Sequence, residues 1–307
     1  PFRMPEFFVL SGLFLSQVIG REWKPYADRR VIHYFYFYAL WAVIHIVFKE
    51  LIVGRDVTGT AASLAWAIVS PYGILWFIYM LGVFGLVSKL LYSLKAPHWA
   101  VLGVAALLQM ANIKTGSYLV DQFAEYFVYF QAGYVAAPHL FRLADWVADH
   151  ASLSLAGLVA WGIVNGLLVF SPGFHMDPVH PQMGWAALPG LHLTLALAGS
   201  AAVCVAAALL IKLPWMAWLR WLGSKSLIIY VSFVLPMGVA RIILLRFGLS
   251  EPNIVSLIIM VVSIGSPLTL WWLVQKTGFG RFLFERPHGA HLPGTRRVAK
   301  PLVQPAE

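Results

Sequence analysis

Arg3 and Glu6 stand at the head of a membrane-length apolar run, Pro1-Phe2-Arg3-Met4-Pro5-Glu6-Phe7-Phe8-Val9-Leu10-Ser11-Gly12. A charge inside a bilayer costs about 2.5–3.5 kcal/mol on insertion scales, so the pair marks either an interfacial anchor or a polar cavity. Pro5 suits a first helical turn, which sets Glu6 near the positive helix end and Arg3 just outside it. A second group, Arg29, Arg30 and His33, precedes the aromatic run Tyr34-Phe35-Tyr36-Phe37-Tyr38. Two guanidiniums beside an imidazole suit an anion such as a phosphate group, although ordinary membrane topology also explains adjacent arginines. A third group, Asp121 and Glu125, lies four residues apart and so on one helix face. Paired carboxylates serve acid–base work; the competing reading leaves Asp121 solvated and pairs Glu125 with a cation such as Arg241. Arg241 falls inside an apolar segment, where an unpaired charge is costly, so it is expected to face the bundle interior.

Weaker signals complete the set. Trp76 and Tyr79 share a helix face at i, i+3, as substrate-lining aromatics or as packing at the membrane interface. The loop Ser171–His180 gathers His175, Asp177 and His180, but the spacing matches no common zinc pattern. A lid is expected there, and no metal. His45, inside an apolar stretch, reads as a hydrogen-bonded core histidine, and Gly162 with Gly166 as a GxxxG packing face. The chain contains no P-loop, HExxH or Gly-rich dinucleotide fingerprint, and no bound cofactor is expected.

These groups must be positioned by helices. The chain is 60% hydrophobic and 11% charged, against about 25% charged in soluble domains, so its solvent is lipid. The single cysteine, Cys204, excludes an intrachain disulfide. The apolar segments, with edges good to a few residues, run 5–20, 31–48, 71–92, 97–113, 122–140, 153–170, 187–211, 225–245 and 254–275. Backbone groups cannot stay unpaired in hydrocarbon, so the expected fold is all-α: a polytopic transmembrane helix bundle with nine spans.

Basic residues set the expected orientation. If the turn at 21–30 is cytoplasmic, most of the 22 Lys and Arg fall on that side, and only Lys49, Arg55, Lys114 and Arg246 lie in connections on the other. The formal charge of +9 therefore reads as topology and anionic-lipid contact rather than nucleic-acid binding. Arg3 then sits at the outer face, and one further helix upstream of Pro1 is expected, ten in the complete protein. The Pro-bearing basic tail, 281–307, is expected to be disordered and cytoplasmic, after a transmembrane domain at 1–280.

Several strings resemble, in order, segments of the acyltransferase 3 family of integral membrane acyltransferases. The opening Phe2-Arg3-Met4-Pro5 is similar to the family's "FRMPLFFFLSGF", and Leu75-Trp76-Phe77-Ile78-Tyr79 to "LWFLYxL". Tyr126-Phe127-Val128-Tyr129-Phe130-Gln131-Ala132-Gly133-Tyr134 resembles "FxFFLxGY", and Leu222-Gly223-Ser224-Lys225-Ser226-Leu227-Ile228-Ile229-Tyr230 resembles "LGxxSLxIYLxH". Where that last motif carries histidine, this chain has Ser232 or Phe233.

The resemblance implies an inner-membrane O-acyltransferase. It would move an acyl group, acetyl or succinyl, from cytoplasmic acyl-CoA as co-substrate to a hydroxyl of a glycan or other envelope acceptor. Its catalytic histidine is expected upstream of Pro1, and no histidine here inherits that role. Arg3 would stabilise the oxyanion or orient the base, with Glu6 beside it. Arg29, Arg30 and His33 would hold the donor, and Trp76, Tyr79, Glu125, Tyr230 and Arg241 would line the path. A transporter, favoured by broken helices or inverted repeats, and an inactive membrane scaffold are the competing classes.

Overall fold

The computed structural model describes residues 2–53, 57–175, 182–249 and 251–295. The protein is 80% helical with almost no strand. In chain order the helices are α1 (Pro5–Leu13), α2 (Trp23–Ala27), α3 (His33–Val53), α4 (Val57–Val69), α5 (Trp76–Ser93), α6 (His98–Met110) and α7 (Tyr118–Asp149). They continue as α8 (Ala151–Val169), α9 (Pro189–Leu210), α10 (Ala217–Ser224), α11 (Ser226–Ser232), α12 (Val234–Arg246) and α13 (Pro252–Thr277). A two-residue antiparallel ladder pairs β1 (Phe174–His175) with β2 (Gln182–Met183). Arg55, Met176, Asp177, His180, Ser250, Arg296, Arg297, Lys300, Pro301 and Pro305, which entered the sequence expectations, lie outside the described residues.

The nine expected spans reduce, among the described residues, to five helices long and apolar enough to cross a membrane, or six if a bent pair counts as one. The five are Trp23–Glu50, Gly59–Ser93, Ala151–Val169, Pro189–Leu210 and Pro252–Thr277. Three expected spans fail for different physical reasons. The first helix stops at Leu13, after nine residues, and gives way to turns. The segment at 97–113 forms a helix of only 13 residues, short of the roughly 20 that a bilayer asks for. The segment at 122–140 lies in a 32-residue helix diluted by Asp121, Glu125, Gln131, His139, Arg142, Asp145 and Asp149. The expected span at 225–245 is broken at Phe233, with α11 and α12 meeting at 52°. Pro236 lacks the N–H that would bond the Ser232 carbonyl, and its ring crowds that same carbonyl. Ser232 also turns its hydroxyl back to the Ile228 carbonyl at 2.7 Å, a bond that bends helices.

The chain divides into two compact units. The first comprises Pro1–Gly20 and Ala65–Ser226. Within it α1 lies along α7 and α9, α5 and α6 pack on α7, and α8 packs on α9. The α1–α7 crossing brings backbone against backbone: a Cβ on Gly12 would collide with the Phe130 carbonyl, and one on Gly133 with the Val9 carbonyl. Small residues permit such approach where packing, not water, drives helices together. Around this crossing Phe8, fully buried, meets the rings of Trp76, Phe77, Phe84 and Tyr126 at 4.8–5.8 Å. Lys89, expected only as a marker of topology, is buried and donates to the Ile19 carbonyl at 2.7 Å. It satisfies backbone freed where the chain turns after α1. Gln131 donates to Ser88 Oγ at 2.7 Å between α7 and α5. The GxxxG of α8 does not pack: a Cβ on Gly162 or Gly166 meets open space. Only 6% of the α8 apolar window is buried, so this face belongs to lipid.

The second unit comprises Arg21–Leu64 and Leu227–Glu307. Here α2 widens into a π-helical turn, Asp28–Ile32, before α3 resumes regular winding. Helix α12 packs on α13. Beyond α13, Gly278 takes a left-handed conformation (φ +74°) and ends the helix. The chain then folds onto α3: Tyr36 donates to the Phe282 carbonyl at 2.9 Å and Trp41 Nε1 to the Leu283 carbonyl at 3.1 Å. The tail expected to be loose from Arg281 is thus folded as far as Thr295. Exposed aromatic and branched side chains such as Phe7, Trp66, Ile68, Val159, Leu167, Leu257 and Trp272 cover both units.

Candidate functional site

Chemistry-bearing side chains gather at one place in each unit. In the second unit the π turn fixes Asp28, 1% exposed, with its carboxylate turned into the protein. Arg286 Nη2 donates to Asp28 Oδ1 at 2.8 Å, the Leu292 N–H donates to the same oxygen at 2.8 Å, and His291 Nδ1 lies 3.1 Å from Oδ2. Arg286 also donates to the backbone carbonyls of Asp28 and Ala290. These contacts border an open cavity of about 510 Å³ lined by Asp28, Arg29, His33, Arg286, His288, His291 and Thr295. Arg29 and Arg286 carry two positive charges against one carboxylate, so the cavity suits an anion. Wide helical turns of this kind recur at functional sites because they re-aim consecutive side chains.

In the first unit the head of α1 carries Arg3 and Glu6. Arg3 is exposed and makes no hydrogen bond or ion pair among the described residues; Glu6, one turn on, is half-buried. Trp76 belongs to the aromatic cluster around Phe8, 5.8 Å from Phe8 and 5.4 Å from Tyr126 between ring centroids. Glu125 lies within electrostatic reach of Tyr118, Tyr126 and Tyr129. The Tyr129 hydroxyl is buried and has no hydrogen-bond partner among the described residues, as is true of Gln109 Oε1, Trp161 Nε1 and Asn165 Oδ1. Gln109 Nε2 reaches His192 Nδ1 at 3.4 Å, and Trp161 packs edge-on to Phe2 at 5.0 Å. Orphaned buried polar atoms of this sort await water or a ligand. Asp121 is partly exposed; the Thr115 N–H and hydroxyl donate to it at 2.7 and 2.8 Å and hold its carboxyl below the usual range.

The expected residues are therefore sorted by position. Arg29 and His33 line one cavity, and Arg30 stands at its margin with its guanidinium 3.4 Å from the Tyr34 hydroxyl. Trp76 and Tyr79 part company: the Tyr79 hydroxyl donates to the Ile68 carbonyl at 3.2 Å. Tyr230 is half-buried on α11. Arg241, expected inside the bundle, is exposed, since α12 packs on α13 by another face. His45 is buried and hydrogen-bonds the backbone of Val231. Sequence reading missed Asp28, Arg286, His288 and His291 as site residues. The clustered cations of Arg286-Pro287-His288-Gly289-Ala290-His291 were a signal for it, hidden by the prolines that made the tail look loose.

Helices of this length and apolarity, with apolar side chains on their exposed surfaces, define an integral membrane protein. The match to a family of known chemistry is equally direct. Residues 1–272 of the 307 match the acyltransferase 3 model, described as an acyltransferase domain, and the chain belongs to that family of membrane acyltransferases. No curated protein and no solved structure matches it.

Proposed function

We propose that this protein is an O-acyltransferase of the bacterial inner membrane. It takes an acetyl or succinyl group from cytoplasmic acyl-CoA and passes it to a hydroxyl of a glycan or similar envelope acceptor. The observation that supports the reading is the basic cavity of the second unit, lined by Arg29, His33 and Arg286, whose charge suits the phosphates of an acyl-CoA. The reaction forms an ester bond from the acceptor oxygen to the acyl carbon and breaks the thioester C–S bond. The hydroxyl proton leaves with CoA as its thiol. Arg3, exposed and unpaired among the described residues, supplies a cation for the oxyanion of the tetrahedral intermediate, with Glu6 beside it. Trp76 and Glu125 line the acceptor side. The C-terminus is cytoplasmic, following the basic connections.

The broken helix pair at Phe233 favours a second reading, a transporter, because discontinuous helices build midplane substrate sites. One experiment separates the two. The full-length protein in proteoliposomes is given acetyl-CoA labelled in the acetyl group on one side, and free thiol is followed with crude envelope glycans present. Thiol release that requires acceptor and falls at least tenfold in Arg3→Ala supports the transferase. Label that crosses with its thioester intact overturns it.

A further inference from the structure

The C-terminal segment is anchored more firmly than its composition suggests. Tyr36 and Trp41 of α3 hold its first turn, Gln275 donates to Glu285 at 2.9 Å, and Asp28 then takes donors from Arg286, His291 and Leu292. The Arg286–Asp28 pair is almost wholly buried, with side chains 2% and 1% exposed, and Arg286 Nε has no hydrogen-bond partner among the described residues. One carboxylate thus offsets one guanidinium. Arg29 has only a long contact, 3.4 Å, to the Thr295 carbonyl, and His33 and His288 line the same space. A cavity of about 510 Å³ falls in the usual range for small-molecule sites and exceeds what a bare phosphate needs.

We propose that the C-terminal segment forms one wall of a site for a phosphorylated ligand. His288 and His291 donate to the phosphate oxygens opposite Arg29 and His33, and the buried Asp28–Arg286 pair is the clasp that holds that wall in place. The inference deepens the proposed function, on whose donor reading it rests. The same phosphate chemistry has two sources, the phosphates of a CoA-type nucleotide and the headgroup of an anionic lipid.

The test uses the full-length protein in nanodiscs of neutral lipid, with two probes: CoA, and a short-chain phosphatidic acid. The variants are Arg29→Ala, the double change His288→Gln with His291→Gln, and Asp28→Asn. The double variant gives up only the His291 contact to Asp28, so its ligand-free melting midpoint is expected to fall less than that of Asp28→Asn. It is expected to bind CoA about tenfold or more weakly, as befits lost hydrogen bonds to a charged group. Asp28→Asn is expected to lower both midpoint and affinity. If Arg29→Ala abolishes CoA binding while the double variant binds as wild type, the C-terminal wall is overturned and the donor reading survives. If wild type ignores CoA but binds phosphatidic acid, and the double variant loses that binding, the phosphate site stands and the CoA reading falls. Binding of neither probe by wild type overturns the site.

Discussion

The two units solve the problem of fixing a reactive surface in lipid by opposite means. Around Arg3 and Glu6 the first unit relies on steric fit: α1 touches α7 backbone to backbone at Gly12 and Gly133, within a cluster of aromatic rings. Around Arg29 and His33 the second unit relies on charge, with the Asp28–Arg286 pair locking the turn after α13 to the π turn before α3. Steric contact tolerates no added atom, whereas a buried ion pair tolerates no lost partner. Each mechanism predicts its own pattern of damage.

The largest effect is expected where charge is buried. Asp28→Ala leaves the Arg286 guanidinium without its carboxylate at 2% exposure, a change that costs about 3–5 kcal/mol in comparable buried pairs. Replacing both partners, Asp28→Leu with Arg286→Met, should recover much of that loss because no charge is stranded. Thermal unfolding in detergent measures both; equal damage in single and double variants would show that the pair is not the clasp.

Next come the glycines of the crossing. Gly12→Ala and Gly133→Ala each insert a Cβ into an opposing carbonyl, so α1 must lift from α7; overpacking of this kind costs about 1–3 kcal/mol. Activity should fall with stability, because the head of α1 carries Arg3 and Glu6. Wild-type melting in either variant would refute the backbone contact.

The same comparison explains what the sequence showed and what it hid. Membrane residence, the helical class and the family were legible, since apolar run length and short motifs depend on neighbouring residues. The span count was not. Whether Leu10-Ser11-Gly12-Leu13 continues as helix depends on tertiary partners that no window of residues contains, whereas Pro236 was a local signal of a break, masked by the apolar run around it. Arg29 and His33 drew notice because they adjoin an aromatic helix, but the residues that line the same cavity, Arg286 and His291, lie over 250 residues on. Arg241 was misjudged for the converse reason: its cost assumed lipid on all sides of a straight span, and the helix that bears it is bent.

A smaller effect is expected at the exposed mouth of α7. Thr115 hydrogen bonds lower the folded-state pKa of Asp121, so this carboxylate stabilises the fold above the unfolded value of about 3.9. That stabilisation is lost as pH falls through the lowered folded value. The melting difference between wild type and Asp121→Asn should therefore be present at neutral pH and vanish in acid; a difference that grows as pH falls would contradict the assignment.

The smallest effect sharpens the contrast most. Gly162→Ala and Gly166→Ala repeat the chemistry of Gly12→Ala on α8, where a new Cβ meets nothing within 4 Å. The substitution then acts only through helix propensity, and alanine exceeds glycine by about 0.5–1 kcal/mol in a helix interior. Melting should stay level or rise slightly, opposite in sign to the change at Gly12. A loss comparable to Gly12→Ala would mean that the GxxxG face packs after all, against a second copy or another protein. The steric seam of this family member would then extend beyond α1 and α7.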